Sequence, residues 1–221
     1  MSETNRKLHW KQNPEAVKAD ILRVAVEQFA TKGLEGTRID DIALRTISSK
    51  RMIYYYFIDK VGLYQAALES VYFKARKAET ALDLAGLSPP LAMRRMIEFT
   101  FDYHKANPNF VRMISIENVH SADYLSKSDV IRELNQKVLD KVEEIYSTGV
   151  KTGLFRPGMT PILLHWIMSA LSFYNVSNRY TFSAGVGSEL HTDQGQEALC
   201  SEIVDMILRS IMTPEAMDKE G

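Results

Sequence analysis

Apolar residues recur every three or four positions along most of the chain, and nowhere do they alternate over the length of a strand. That period places them on one face of a helix. The first stripe is Val17, Ile21, Ala25 and Phe29, flanked by Leu22 and Val24. Asn13 and Pro14 open it as N-cap and first helical residue, and Gly33 closes it. Thr37, with Asp40 three positions on, predicts a capping box for a short second helix whose Ile39, Ile42 and Ala43 face inward. Residues 46–48 break the pattern. Ser49 then caps a third short helix reaching about Tyr56, and Asp59 caps a fourth along Leu63, Ala67, Val71, Ala75 and Ala78, which fades by Gly86.

The remainder reads the same way. Ser88-Pro89-Pro90 opens a segment through Met93, Ile97, Phe101 and His104, and Asn107-Pro108 opens one with Phe110, Met113, Ile114 and Glu117. Residues 126–153 carry Val130, Leu134, Val138, Val142, Ile145 and Val150. Thr160-Pro161 starts an almost wholly apolar helix over 162–176, and a last stripe holds Leu199, Ile203, Met206 and Ile207. Residues 181–195 contain three glycines and little periodicity, so they read as a loop. The expectation is an all-α fold of about nine helices: an arm over 1–13, a small helical module over 14–60 and a larger helical domain over 61–221.

Composition narrows the setting. The 221 residues are 45% hydrophobic, ample for a core, yet no apolar run reaches the roughly 18 residues that a membrane span needs. The N-terminal stretch lacks an apolar signal region. The lone Cys200 allows no internal disulfide, which fits a reducing cytoplasm. Formal charge is −1 overall but unevenly spread: residues 1–60 carry +3 and residues 61–221 carry −4. The asymmetry favours an N-terminal face for a polyanion.

Two short helices joined by a tight turn form a helix-turn-helix, in which the second helix enters the DNA major groove. On that second helix Met52 or Ile53 must pack inward, leaving Ser49, Lys50, Arg51 and Tyr55 as the groove face. Lys50 or Arg51 suits a guanine edge, and Tyr54, Tyr55 and Tyr56 supply hydroxyls for phosphates and rings for sugars. Thr37 and Arg38 at the start of the preceding helix, and Lys60 at an Asp59-capped helix N-terminus, complete the set expected to touch DNA.

The run Ile21-Leu22, Ala25, Phe29, Gly33, Thr37, Ile42-Ala43, Ser49-Lys50, Ile53 to Phe57, Lys60 and Leu63 resembles the DNA-binding region of the TetR family of repressors over about residues 14–68. The resemblance implies a homodimeric repressor that binds a palindromic operator and is released by a small molecule held in the C-terminal domain. It departs from the family pattern at Ile47-Ser48, where Gly-Val is usual, and at Tyr56, where histidine is common. Either the turn takes another geometry, or Ile47 replaces the valine's core contact in a shifted register. The run from Gly149 to Phe155 resembles, more weakly, the subgroup of the pyrimidine-utilisation repressor. Met168 and Ser172 stand where that subgroup places a ligand-contacting Trp and Gln, so its pyrimidine ligand does not carry over.

Apolar helices carrying occasional polar groups suit a ligand pocket. Candidates are Phe101, His104, Phe110, Met113, Glu117, Trp166, Met168, Ser169, Ser172, Phe173, Tyr174 and Asn175. The helices at about 162–176 and 196–212 are apolar enough to pair with a second copy across a two-fold axis. No nucleotide-binding, zinc-protease or nucleophile-elbow motif is present, and no cofactor, metal or catalytic site is implied. The alternative is a helical ligand-binding protein or enzyme in which the hairpin is purely structural, and it predicts no affinity for duplex DNA.

Overall fold

The computed structural model describes residues 13–220. Among them are eleven α-helices: α1 (Pro14–Gly36), α2 (Ile39–Arg45), α3 (Lys50–Phe57), α4 (Lys60–Thr80), α5 (Pro89–Ala106), α6 (Pro108–Val119), α7 (Asp129–Lys151), α8 (Pro161–Ser177), α9 (Arg179–Val186), α10 (Asp193–Ile211) and α11 (Pro214–Glu220). Short 3-10 turns lie at Leu125–Lys127 and Glu189–His191. The described residues hold no strand, only an isolated bridge between Phe155 and Met212. The arm expected over 1–13 lies outside the described residues except for Asn13, whose Oδ1 caps α1 by accepting from the Ala16 N–H at 3.1 Å.

The chain forms two compact units that do not follow its order. One runs to Phe73 and adds Arg112–Ile131; the other holds Lys74–Val111 and everything from Arg132 onward. In the first, Val17, Ile21, Val24, Ala25 and Phe29 of α1, Ile42 of α2, Ile53 of α3 and Leu63 of α4 are fully buried. The Phe29 ring meets Tyr64 edge-on, centroids 5.0 Å apart. Tyr64 donates to the buried Glu117 carboxylate at 2.8 Å, and the other oxygen of Glu117 accepts from the backbone N–H of Tyr124 and of Leu125. These bonds anchor the segment after α6, where Ser121 and Ala122 both take positive φ. Burial, and then the Glu117 hydrogen bond, push the Tyr64 phenol pKa well up.

The second unit is built round Met93, Met96, Ile97 and Phe101 of α5, Val142 and Tyr146 of α7, Leu164 and Met168 of α8, and Ile203, Ile207 and Ile211 of α10. Phe155 packs its ring over Gly149, where an added Cβ would come within 2.0 Å of the ring. The Arg156 N–H donates to Ile211 and the Thr213 N–H to Leu154, fixing the α7–α8 connection to the end of α10.

Three expectations need correction. Residues 181–195 are not a loop: α9 and a 3-10 turn occupy most of them, and this is one reason the helices number eleven rather than about nine. Two of the glycines mark helix ends. Gly187, at φ 118, terminates α9, and Gly195 lies in the first turn of α10, where a Cβ would sit 2.1 Å from the Glu189 carbonyl oxygen. The other uncounted helix is α11, which follows the last stripe. The helix expected from 126 begins at Asp129, because the Ser128 hydroxyl accepts from the Ile131 N–H as its cap. Finally, Thr37 does not cap α2: it is buried, and its hydroxyl donates to the Gly33 carbonyl at 2.7 Å. Gly33 takes φ 68 and breaks α1, which frees that carbonyl for the threonine. Asp40 therefore has no capping partner and turns elsewhere.

Candidate DNA-binding face and ligand cavities

Ser49 caps α3 as expected, its hydroxyl accepting from the Met52 N–H at 3.3 Å. Ile53 is the inward anchor of that helix, fully buried, while Met52 is half-buried. Ser49, Lys50, Arg51, Tyr54 and Tyr55 are exposed, Tyr55 the most at 77%. Tyr56 is half-buried: its ring meets that of Tyr55 edge-on and lies 5.6 Å from the Lys18 ammonium. Arg38 is exposed in extended backbone just before α2. The sequence-derived contact set thus stands on one module, except that the Thr37 hydroxyl faces inward.

The turn resolves the two alternatives for Ile47-Ser48. Ile47 is 57% exposed and Ser48 only 5%. No residue of 46–49 has positive φ. The register is therefore unshifted: Ser48 points inward and Ile47 outward, with the Ile47 N–H donating to Asp20 at 3.1 Å. A β-branched residue is accommodated because the turn avoids the left-handed conformation. The Ser48 hydroxyl is buried without a hydrogen-bond partner.

Past α3, Ile58 takes φ 67 and ψ −60, and the Asp59 N–H donates back to Phe57 at 2.7 Å. This is a tight γ-turn of the rare positive-φ kind. It places Asp59 to cap α4 through the Gly62 N–H at 2.7 Å, with Lys60 as the first helical residue. A side chain at Gly62 would strike the Phe57 carbonyl at 2.3 Å. The module is laced with ion pairs: Arg23 with Asp20 and Glu27, Arg45 with Glu27, Lys32 with Asp41, and Lys50 with Asp40 at 3.0 Å. The last raises the Lys50 pKa, first through its hydrogen bond to Asp40. Among the described residues Arg51 and Lys60 make no ion pair.

The ligand candidates scatter. Phe101, Met168 and Ser172 lie in the packed core of the second unit, and the Ser172 hydroxyl is bonded to the Met168 carbonyl. Trp166 is 66% exposed on α8. Met113 and Glu117 belong to the first unit, where the Glu117 oxygens are taken by Tyr64 and two backbone amides. The side chains of His104, Phe110 and Phe173 do come together: His104 stacks on Phe110 at 5.7 Å and meets Phe173 edge-on at 6.3 Å. His104 and Phe110 line a cavity of about 30 Å³, roughly one water molecule, together with Arg76, Glu79, Tyr103 and Ser169. Arg76 is held there by Glu79 at 2.7 Å and Asn135 at 3.1 Å. Burial, with Arg76 nearby, lowers the His104 pKa to about 4, so the ring is neutral at pH 7, and its Nδ1 has no partner. Asn175 instead pairs with Gln196 at 2.8 Å and, with Tyr174, walls a separate groove of about 690 Å³ along α8, α9 and α10. Arg76, Glu79 and Tyr103 escaped the sequence reading. The three-residue spacing of Arg76 and Glu79 on α4 was the available signal.

Comparison with known proteins gives the same picture. Residues 21–67 match the model for bacterial regulatory proteins of the tetR family, and residues 89–207 match the tetracyclin repressor-like C-terminal domain. The chain belongs to the TetR family. Relatives include the transcriptional repressor NicS of Pseudomonas putida, 31% identical over 200 residues that cover 90% of this chain and 94% of NicS. The regulator RutR of Escherichia coli is 26% identical, covering 72% of this chain and 74% of its own. The fold matches a TetR-family regulator from Marinobacter aquaeolei at TM-score 0.69 and 21% identity, over 91% and 98% of the two chains. Streptomyces coelicolor SCO4942 gives TM-score 0.67 at 22% identity, over 88% and 98%. As a TetR-family regulator the protein acts by binding DNA in response to a ligand, not by catalysis. Among the described residues no helix is long and apolar enough to cross a membrane, and no three ligating side chains gather as a metal site. Burial raises the Cys200 thiol pKa to about 11, which leaves it a poor nucleophile.

Proposed function

We propose that the protein is a cytoplasmic repressor that binds a palindromic operator as a homodimer and leaves it when a small molecule binds. The observation that carries this reading is the Ser49-capped α3, anchored by Ile53 and presenting Lys50, Arg51, Tyr54 and Tyr55 to solvent together. Residues 14–60 form the DNA-binding domain. Arg51 reads a base edge, the tyrosines and Arg38 meet sugars and phosphates, and Lys60 at the N-terminus of α4 holds a phosphate. Residues 61–221 serve ligand binding and dimerisation. Ile162, Leu163 and Trp166 on α8 and Met206 on α10 are exposed apolar residues at helical spacing, which supports pairing through these two helices. Two recognition helices would then enter successive grooves about 34–36 Å apart.

We expect the effector beside His104 and Phe110, where the one-water cavity has to widen to admit it, because a buried Nδ1 without a partner favours a ligand that hydrogen-bonds to it. Footprinting across genomic fragments tests the whole reading. A protected palindrome is expected, and its absence with folded, dimeric protein overturns it.

A further inference from the structure

We propose that Asp40 is a specificity-determining residue, and that its carboxylate and the Lys50 ammonium read one G·C base pair as a unit. The proposal rests on the DNA-binding reading. Asp40 lies in the first turn of α2 and Lys50 is the first residue of α3, so the pair bridges the two helices of the helix-turn-helix. Lys50 Nζ is 3.0 Å from Oδ1 and 3.1 Å from Oδ2, and both side chains stay about half exposed. An exposed pair of this kind adds little to stability. A carboxylate on a surface that meets phosphates would also be a liability unless it reads something.

The neighbouring acids are otherwise engaged. Asp20 holds Arg23 and the Ile47 N–H, Glu27 holds two arginines, and Asp41 holds Lys32. Among the described residues Asp40 is the one carboxylate paired with α3. It also divides two adjacent cations. Lys50 is held, while Arg51 has no ion-pair partner among the described residues and is free for a base edge or a phosphate.

The chemistry fits one base pair best. Guanine presents N7 and O6 side by side as acceptors in the major groove, and its cytosine presents the N4 amino donor next to them. An ammonium supplies donors for the first two and a carboxylate oxygen accepts from the third. Adenine–thymine offers no adjacent pair of acceptors. On DNA without the right pair, Asp40 keeps the ammonium away from phosphates, lowering non-specific affinity.

The test is selection of duplexes from a pool with a randomised core, using the full chain as wild type, Asp40→Asn and Lys50→Met. Wild type should select a palindrome carrying a G·C pair in each half. Both variants should lose roughly tenfold or more of the preference at that position and keep it elsewhere. Asp40→Asn should also bind random duplex several-fold more tightly, with a salt dependence steeper by about one unit, since a lysine is released to phosphate. Unchanged G·C preference in folded Asp40→Asn overturns the proposal. So does unchanged preference in Lys50→Met; if Asp40→Asn does not fold, Asp40→Ser takes its place, and unchanged G·C preference in it overturns the proposal. Failure of wild type to select any sequence overturns the DNA-binding reading, and this inference with it.

Discussion

Ile58→Gly should stabilise the protein, although it deletes a large apolar side chain. Ile58 holds φ 67 and ψ −60 and is 84% exposed. A β-branched residue in so sparsely populated a region costs about 1–3 kcal/mol. Glycine adopts it without steric penalty but gives back about 0.5–1 kcal/mol through the greater freedom of the unfolded chain. The lost burial is a few tenths of a kcal/mol, because little of the side chain is covered. The balance is a gain of about 1 kcal/mol, or a Tm rise of about 2–4 °C for a chain of this size. Ile58→Ala relieves the β-branching but not the positive φ, and should fall between the two. Ile58→Pro, which demands φ near −65°, should destabilise. Urea denaturation of the four proteins, with a common m-value, gives the comparison. A loss of stability in Ile58→Gly, or Ile58→Ala more stable than Ile58→Gly, would refute the argument.

Other substitutions probe separate parts of the structure. Ser48→Ala removes a buried hydroxyl without a partner at nearly constant volume, so a gain of about 1 kcal/mol is expected in the same assay. Gly149→Ala drives a Cβ to 2.0 Å from the buried Phe155 ring; overpacking should cost about 1–3 kcal/mol, outweighing the better helix propensity, and appear as a lower Tm. His104 and His165 both have folded pKa values lowered by burial to about 4, against 6.5 unfolded. The unfolded chain therefore binds more protons between those values: stability is full above about pH 6.5 and falls as pH drops towards 4. His104→Leu should flatten part of that slope in pH-dependent melts. Lys60→Ala should weaken binding to all duplexes alike, whereas Arg51→Ala should also relax base preference, both measured by fluorescence anisotropy on operator and scrambled DNA.

Local signals carried the helix-turn-helix. Asn13, Ser49 and Asp59 are each followed by a free backbone N–H three residues on, and each caps as its chemistry demands. Thr37 failed by the same chemistry: the break at Gly33 exposed a carbonyl that the hydroxyl reached first. The Ile47-Ser48 turn was undecidable from sequence because both residues have plausible inward and outward positions, and only tertiary packing selects Ser48 as the buried one. Glycine misled at 181–195, since Gly187 and Gly195 punctuate helices there. Polar residues on apolar helices need partners when buried, but sequence does not say which. Glu117 found Tyr64, 53 positions away, and Asn175 found Gln196. Arg76 and Glu79 stayed hidden because burial of an ion pair depends on what packs over it.

If α3 reads DNA sequence, the protein must distinguish its own operator from other duplexes. The direct measurement is the affinity of the full chain for its footprinted duplex and for a scrambled one of equal length, across a salt series. The specific complex should be at least about 10³-fold tighter at physiological salt, with log affinity falling linearly against log salt for both. Equal affinities for the two duplexes, or no salt-dependent binding to either, would contradict it.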